Sequence, residues 1–548
     1  MVFSEFIYNW LLRIDTSGHI EIWPSLLVFF VVVSMVYLVQ FINKERRLPP
    51  GPWGYPLLGS SSLLNFLPPT KEFYKAMAKK FGSTCSIRIG RKLVVVLSDY
   101  LTIRQAFKRE EFTGRPSSGF SYLIQNYGII NSEGQMWKSQ RRFLHDQLRT
   151  FGMKLFGSGK EKMETRIMGE VESLLRNLAK TESEPTDLNA PFSLAITNVI
   201  CSLLMSVRFK QDDPRFIRFT ELIEEGFKLF SNVMMVGDFP FLRHLPGFNS
   251  ACKKIEQNKE EMGGFFQEMV NQHRDTFDPE HMRDLIDTYL LEIKKAESEG
   301  RILFCGKDCD RQMQQIIGDI YSAGMETIKT TLLWYVVYML HNPGVLKRMQ
   351  DELDAVVGRE RLPQLSDQAF LPYTECVINE VLRISSIVPL GTTHATTKDL
   401  ELDGHFIPKD SHIIPQLSAV HMDPNLWEAP EQFNPTRFLN AEGKVVKPEF
   451  FMPFGVGRRM CLGDVLARME LFLFASSLVH TFDIKLPEGA SLPNLDGNEG
   501  VTITPDSFKV GVTLFFYFRP EKIKISDRAI PSDSLVCLSA GLLAEKNG

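Results

Sequence analysis

The run Phe454-Gly455-Val456-Gly457-Arg458-Arg459-Met460-Cys461-Leu462-Gly463 sets one cysteine in a glycine-punctuated loop, with arginines beside it and a long apolar helical pattern behind. A thiolate is a strong, soft ligand for iron, and a buried thiolate needs help to stay charged. The glycines at 455, 457 and 463 permit tight turns that bring backbone N–H groups near the sulfur. Phe454 can wall the sulfur off from water, and Arg459 can offer its fork to a carboxylate. A second patterned stretch, Ala323-Gly324-Met325-Glu326-Thr327, sits inside a helix-period segment from Gln312 to His341, with Asp308 or Asp310 available as its cap. A glycine in mid-helix costs about 1 kcal/mol against alanine, so it asks for a reason. Small residues there let a planar group and a diatomic ligand approach the backbone. The threonine hydroxyl can bond that ligand or hold a water, and Glu326 can feed protons inward. Taken alone, Ala323-Gly324 reads as readily as a helix-packing contact.

The elements that must position these residues are mostly helical. The chain has 548 residues, 44% hydrophobic, with a formal net charge of -4, which supports a large core and argues against a polyanion-binding protein. No linker, repeat or low-complexity tract interrupts it after residue 48, so one large domain is expected. The eight cysteines form no disulfide framework, and Cys305 and Cys309 lack the second ligand pair that zinc needs. From Trp23 to Ile42 the sequence is apolar apart from Ser25, Ser34 and Gln40, and ~20 such residues can cross a bilayer. Lys44, Arg46 and Arg47 follow, which puts the tail in the lumen and the large domain in the cytosol. Leu48-Pro49-Pro50-Gly51-Pro52 is a stiff, non-helical hinge. The expected organisation is therefore residues 1–47 as lumenal tail and anchor, 48–52 as hinge and 53–548 as the catalytic domain.

Phe-Gly-x-Gly-x-Arg-x-Cys-x-Gly, matched at every fixed position, resembles the haem-thiolate loop of the cytochrome P-450 monooxygenases. The resemblance implies a mainly α fold with small β-sheets and haem b, with Cys461 as the iron ligand. Ala323, Gly324, Glu326 and Thr327 match the family's oxygen-activation motif, although Ile328 stands where a second hydroxyl is usual. Glu380-Val381-Leu382-Arg383 places a carboxylate and a guanidinium one helical turn apart, and Arg437 follows in Phe433-Asn434-Pro435-Thr436-Arg437-Phe438. In the family these three form a buried structural triad. Trp137 and Arg141, at i and i+4, match the pair that holds a haem propionate, and Arg459 and His394 are further candidates. His394 also reads as a strand histidine satisfied by backbone. Family alignment gives Phe120, Ile130, Val388, Leu390 and Ile503 as pocket walls.

No dinucleotide fingerprint or flavin domain is present, so electrons are expected from an NADPH-dependent flavoprotein reductase. It would dock on a basic patch that includes Lys138, Arg142, Arg149 and Arg458. The microsomal type implies an endoplasmic reticulum membrane, a small lipophilic substrate, O2 and no nucleic acid. Glu110-Glu111-Phe112-Thr113-Gly114-Arg115-Pro116, Ser385-Ser386-Ile387-Val388-Pro389-Leu390 and the stretches after Ala323 and Cys461 look like insect ecdysteroid 26-hydroxylases. That implies hydroxylation and inactivation of a moulting steroid. Another sterol, a juvenoid lipid or a xenobiotic is the alternative substrate, and a non-catalytic haem sensor or electron carrier the alternative class.

Overall fold

The computed structural model describes residues 23–52, 59–60, 70–90, 92–117, 124–153 and 158–515. Helices follow one another along most of it: α1 (Trp23–Glu45), α2 (Lys71–Phe81), α3 (Tyr100–Lys108), α4 (Gly134–Thr150), α5 (Ser158–Ala179), α6 (Asn189–Leu204), α7 (Pro214–Asp238), α8 (Phe248–Asp275), α9 (Leu285–Glu299), α10 (Cys309–His341), α11 (Pro343–Val356), α12 (Pro372–Ser385), α13 (Leu417–His421) and α14 (Asp464–Thr481). The largest sheet has the order β1 (Thr84–Ile89), β2 (Lys92–Leu97), β6 (His412–Pro415), β3 (His394–Ala395). Its β2 and β6 strands run parallel and the other pairs antiparallel. Three further sheets have two strands each: β4 (Leu400–Leu402) with β5 (His405–Ile407), β7 (Phe482–Lys485) with β10 (Gly511–Leu514), and β8 (Asn498–Glu499) with β9 (Ile503–Thr504).

The central element is α10. Asp308 caps it by accepting from the Arg311 N–H, which moves the start to Cys309 rather than Gln312. Asp310, the alternative cap, turns instead to Arg274 and Gln267. From Ile328 to Met339 every side chain is buried, so this half of the helix has no face toward water. Helices α6, α8, α12 and α14 pack around it.

The hinge is docked as well as stiff. Pro49 O accepts from Ser86 Oγ at 2.7 Å and Pro50 O from Ser86 N at 2.8 Å. A Cβ on Gly51 would meet Ser86 O at 1.8 Å, so only glycine allows that approach. Glu45 pairs with Arg88 and Arg47 O accepts from Phe406 N, which ties the end of α1 to two sheets.

Along residues 26–37 of α1 the apolar side chains stand largely exposed, Phe29, Phe30, Met35 and Tyr37 among them. Among the described residues no helix is long and apolar enough to cross a membrane. The expected span is thus not met on those residues. Side chains at 23–25, 38, 41, 43 and 44 of α1 lie outside the described set and break the run. The lumenal tail, Phe120 and the segment after Arg519 also lie outside the described residues.

Candidate functional site

The Cys461 loop is a single 3-10 turn, Gly457–Arg459, leading directly into α14. Gly457 has φ 79°, and a Cβ there would meet Phe107 O at 2.1 Å, so the position demands glycine twice over. Gly463 departs from the expected tight turn. Its φ is -98°, it caps α14, and its N–H lies on the side of the Cys461 sulfur, where it favours the charged form. Burial pushes the Cys461 thiol up, while that N–H and the Arg141 and Arg468 guanidiniums favour the thiolate. Phe454 accepts from Cys461 N at 3.0 Å and carries the Arg468 guanidinium 4.7 Å over its ring. Cys461 lies deep in the protein and is nevertheless solvent-reachable, as is Ala323 in the middle of α10. Each therefore borders a cleft rather than close-packed core.

Three guanidiniums converge beside the loop. Arg141 donates to Met460 O at 2.5 Å, and Arg459 to Thr113 O at 2.8 Å and Ser132 O at 2.6 Å. Arg459 also lies 4.2 Å over the Trp137 ring. The third, Arg115, reaches Ile130 O at 2.8 Å and Thr393 O at 2.7 Å. Burial, then mutual repulsion, pushes Arg459 down to about 8 and Arg115 to about 10. Glu133 is the one side-chain carboxylate that counters this on Arg459. Half-buried cations so crowded call for an anionic partner, and two carboxylates of a planar cofactor fit that donor set.

His394 stands apart from this cluster. Its Nδ1–H donates to Phe112 O at 2.7 Å and its ring stacks on Phe107 at 3.9 Å. Burial, then the Arg115 charge, pushes it down to about 3. The ring is neutral and its remaining nitrogen is an acceptor, so it offers an anion no donor. Of the two readings, the backbone-satisfied strand histidine matches this geometry.

Asp319 of α10 links the helix to the cysteine loop. Its Oδ2 accepts from Ile129 N at 2.7 Å and Ile130 N at 2.9 Å, while Ile130 O accepts from Arg115 and Arg459. Ile130, expected as a pocket wall, is thus clamped through both backbone groups. Gly324 serves packing: a Cβ there would meet Ile200 Cδ1 of α6 at 2.8 Å. Ala323 is the residue that faces the cleft. Thr327 is half-buried and donates to Ala323 O at 2.8 Å, leaving its oxygen as an acceptor. Glu326 is buried and pairs with Lys329.

Behind the loop lies the triad. Arg383 makes a bidentate pair with Glu380, both bonds 2.8 Å and both side chains fully buried, and Arg437 reaches Glu380 Oε1 at 3.1 Å. Arg383 also donates to His421 O, and His421 Nε2 accepts from Met452 N at 3.0 Å, two residues before Phe454. His421 therefore connects triad to loop.

The expected pocket walls do not all face one space. Val388 and Leu390 are half-buried, and Leu390 packs on the small cluster around Tyr74 and Met77. Ile503 is 4% exposed and meets Gly497 so closely that a Cβ there would lie 2.8 Å from Ile503 Cγ2. Arg115, Asp319 and His421 were not singled out from sequence. An acid on an otherwise apolar helix face is the one signal that could have found Asp319.

A mainly helical fold wrapped around a cysteine loop, with unmatched guanidiniums beside it, defines the haem-thiolate class of protein. The chain belongs to the cytochrome P-450 family, whose profile matches residues 49–512. It is an oxidoreductase of the monooxygenase type, and its family uses haem b with a cysteine thiolate ligand and reductase-supplied electrons. It is 54% identical over 491 residues to cytochrome P-450 18a1 of Drosophila melanogaster, covering 88% of this chain and 91% of that protein. It is 35% identical over 512 residues to cytochrome P-450 2U1 of Rattus norvegicus, covering 88% and 94% of the two chains. It is likewise 35% identical over 494 residues to cytochrome P-450 2D6 of Homo sapiens, covering 88% and 97%.

Proposed function

We propose that this chain hydroxylates the side chain of an ecdysteroid at C-26, inactivating the moulting hormone, with Cys461 as the thiolate that would hold the haem iron. Haem b bound there supplies the redox centre at which O2 is activated. The observation that carries the cofactor assignment is the set of half-buried guanidiniums, Arg115, Arg141 and Arg459, beside the reachable Cys461. Arg141 and Arg459 would hold the propionates. Arg115 stiffens their support through Ile130 O, and Trp137 stacks beneath Arg459.

Ala323 gives the planar group access, and the Thr327 oxygen can accept or pass a proton at that face. The substrate assignment rests on the likeness of the Glu110–Pro116, Ala323–Trp334 and Ser385–Leu390 strings to insect ecdysteroid 26-hydroxylases. Another sterol, a juvenoid lipid or a xenobiotic is the competing substrate.

The protein is proposed to sit on the endoplasmic reticulum membrane through α1, whose exposed apolar surface lies next to a docked hinge. An NADPH-dependent flavoprotein reductase of that membrane would supply electrons. The basic face offered to it would comprise Lys138, Arg142, Arg149 and Arg458, all exposed, with Lys138 paired to Glu110 and Arg458 donating to Lys108 O.

The test is turnover of 20-hydroxyecdysone with reductase and NADPH, followed by mass analysis. A product heavier by one oxygen, placed at C-26 by fragmentation, is expected. Turnover of a xenobiotic panel without any steroid product would overturn the substrate assignment.

A further inference from the structure

Glu326 and Lys329 sit one turn apart on α10, with Oε2 and Nζ 2.7 Å apart and side chains 8% and 7% exposed. A lysine this deep is rare without a counter-charge. The other carboxylate oxygen, Oε1, accepts from Thr330 Oγ1 and Thr502 Oγ1, each at 3.2 Å. Thr330 supplies a hydroxyl two positions after Ile328. Thr502 belongs to a turn that is itself clipped in place: Trp334 Nε1 donates to Ile503 O and Ile503 N to Ile387 O, both at 2.8 Å. Glu326 is thus held at both oxygens by three side chains from two segments. Thr327 is not one of them, since its hydroxyl donates to Ala323 O.

We propose that Lys329 is a positioning residue for Glu326, clamping the carboxylate on the Thr502 side of α10 and away from the Thr327 hydroxyl. The proton path from Glu326 to the Thr327 face then opens only when the carboxylate leaves its ammonium partner. Lys329 thereby sets when protons arrive, and the Thr502–Ile503 turn is the other half of the clamp. This deepens the proposed monooxygenase site and rests on Glu326 and Thr327 acting there.

The experiment uses the full-length haem-loaded protein with reductase, comparing Lys329→Met, Lys329→Arg, Glu326→Gln and the double variant Glu326→Gln/Lys329→Met. Two readouts are needed: thermal unfolding, and product and hydrogen peroxide formed per NADPH, normalised to folded haem. Lys329→Met strands a buried charge, so its Tm falls, and the double variant should recover at least half the loss because the two changes are coupled. For the folded fraction, Lys329→Met frees the carboxylate at all times, so the ratio of product to peroxide formed per NADPH should change by more than twofold while KM stays within twofold, with Lys329→Arg close to wild type. A merely structural lysine would change the amount of folded protein but not that partition. The proposal is overturned if the partition in Lys329→Met stays within twofold of wild type, or if the two thermal losses simply add. The thermal cycle reads the clamp even where wild type makes no steroid product, a result that would overturn the substrate assignment instead.

Discussion

Two buried histidines carry a pH dependence that can be worked out by sign. His394 and His421 are each pushed down to about 3, both first by burial and then by a neighbouring arginine, Arg115 and Arg383 respectively. Unfolded, an imidazole titrates near 6.5. Between those values the unfolded chain binds protons that the folded one refuses, so stability falls as pH drops below about 6.5 and continues to fall toward about 3. The limiting slope is about 1.4 kcal/mol per pH unit for each histidine. His273 works in the opposite sense. Its ring nitrogens face Met269 O at 2.8 Å and Asp284 Oδ2 at 2.7 Å, its pKa is raised, and its contribution is lost as pH rises. Thermal unfolding followed from pH 7.5 to 5 should show Tm falling with acid in wild type and a shallower fall in His421→Asn. An unchanged slope in that variant would contradict the neutral, buried state assigned to His421. In the sequence a backbone-satisfied His394 was one of two readings, and His421 gave no signal at all. His394 and His421 are fixed by backbone groups at Phe112 and Met452, and such partners leave no pattern of residue types.

At the scale of elements, what could be read in advance was what spacing alone encodes. Glu380 and Arg383 are one turn apart, and the glycines of the cysteine loop carry the positive φ that the turn requires at 455 and 457. The ends of α10 were legible to within a turn, because Asp308 and Pro343 are local signals. Contacts between elements were not. Gly324 looked like room for a ligand and is room for Ile200, since a small residue serves both purposes equally well in a sequence. The test is Gly324→Ala. Helix propensity alone should stabilise it by about 1 kcal/mol, while overpacking against Ile200 costs about 1–3 kcal/mol. A net loss in Tm is expected, relieved in an Ile200→Ala background. A stabilised single variant would show that α6 is not pressed against α10 there. Ile503, expected from the resemblance as a pocket wall, also seats a turn, through its backbone O on Trp334 and its side chain on Gly497, and neither contact leaves a sequence pattern.

For the whole molecule, two regions with different surfaces meet at the hinge. Past residue 48 the apolar side chains are mostly packed into one main core and smaller satellites, whereas α1 presents its apolar face outward. Pro49, Pro50 and Gly51 lie against β1, so the domain's orientation to α1 is set by hydrogen bonds as well as by proline stiffness. Vesicle flotation should carry the full chain and lose most of a variant that lacks residues 1–47. Equal flotation of both would shift membrane attachment to the catalytic domain.

The claim on which the rest depends is that Cys461 ligates haem iron as a thiolate, favoured by Arg141, Arg468 and the Gly463 N–H. The most direct measurement is the reduced-minus-reduced-CO absorption spectrum of the purified full-length protein beside Cys461→Ser. A strongly red-shifted CO band in wild type that disappears in Cys461→Ser, with haem still bound, is the predicted result. A wild type without that band, or a serine variant that keeps it, would contradict the assignment.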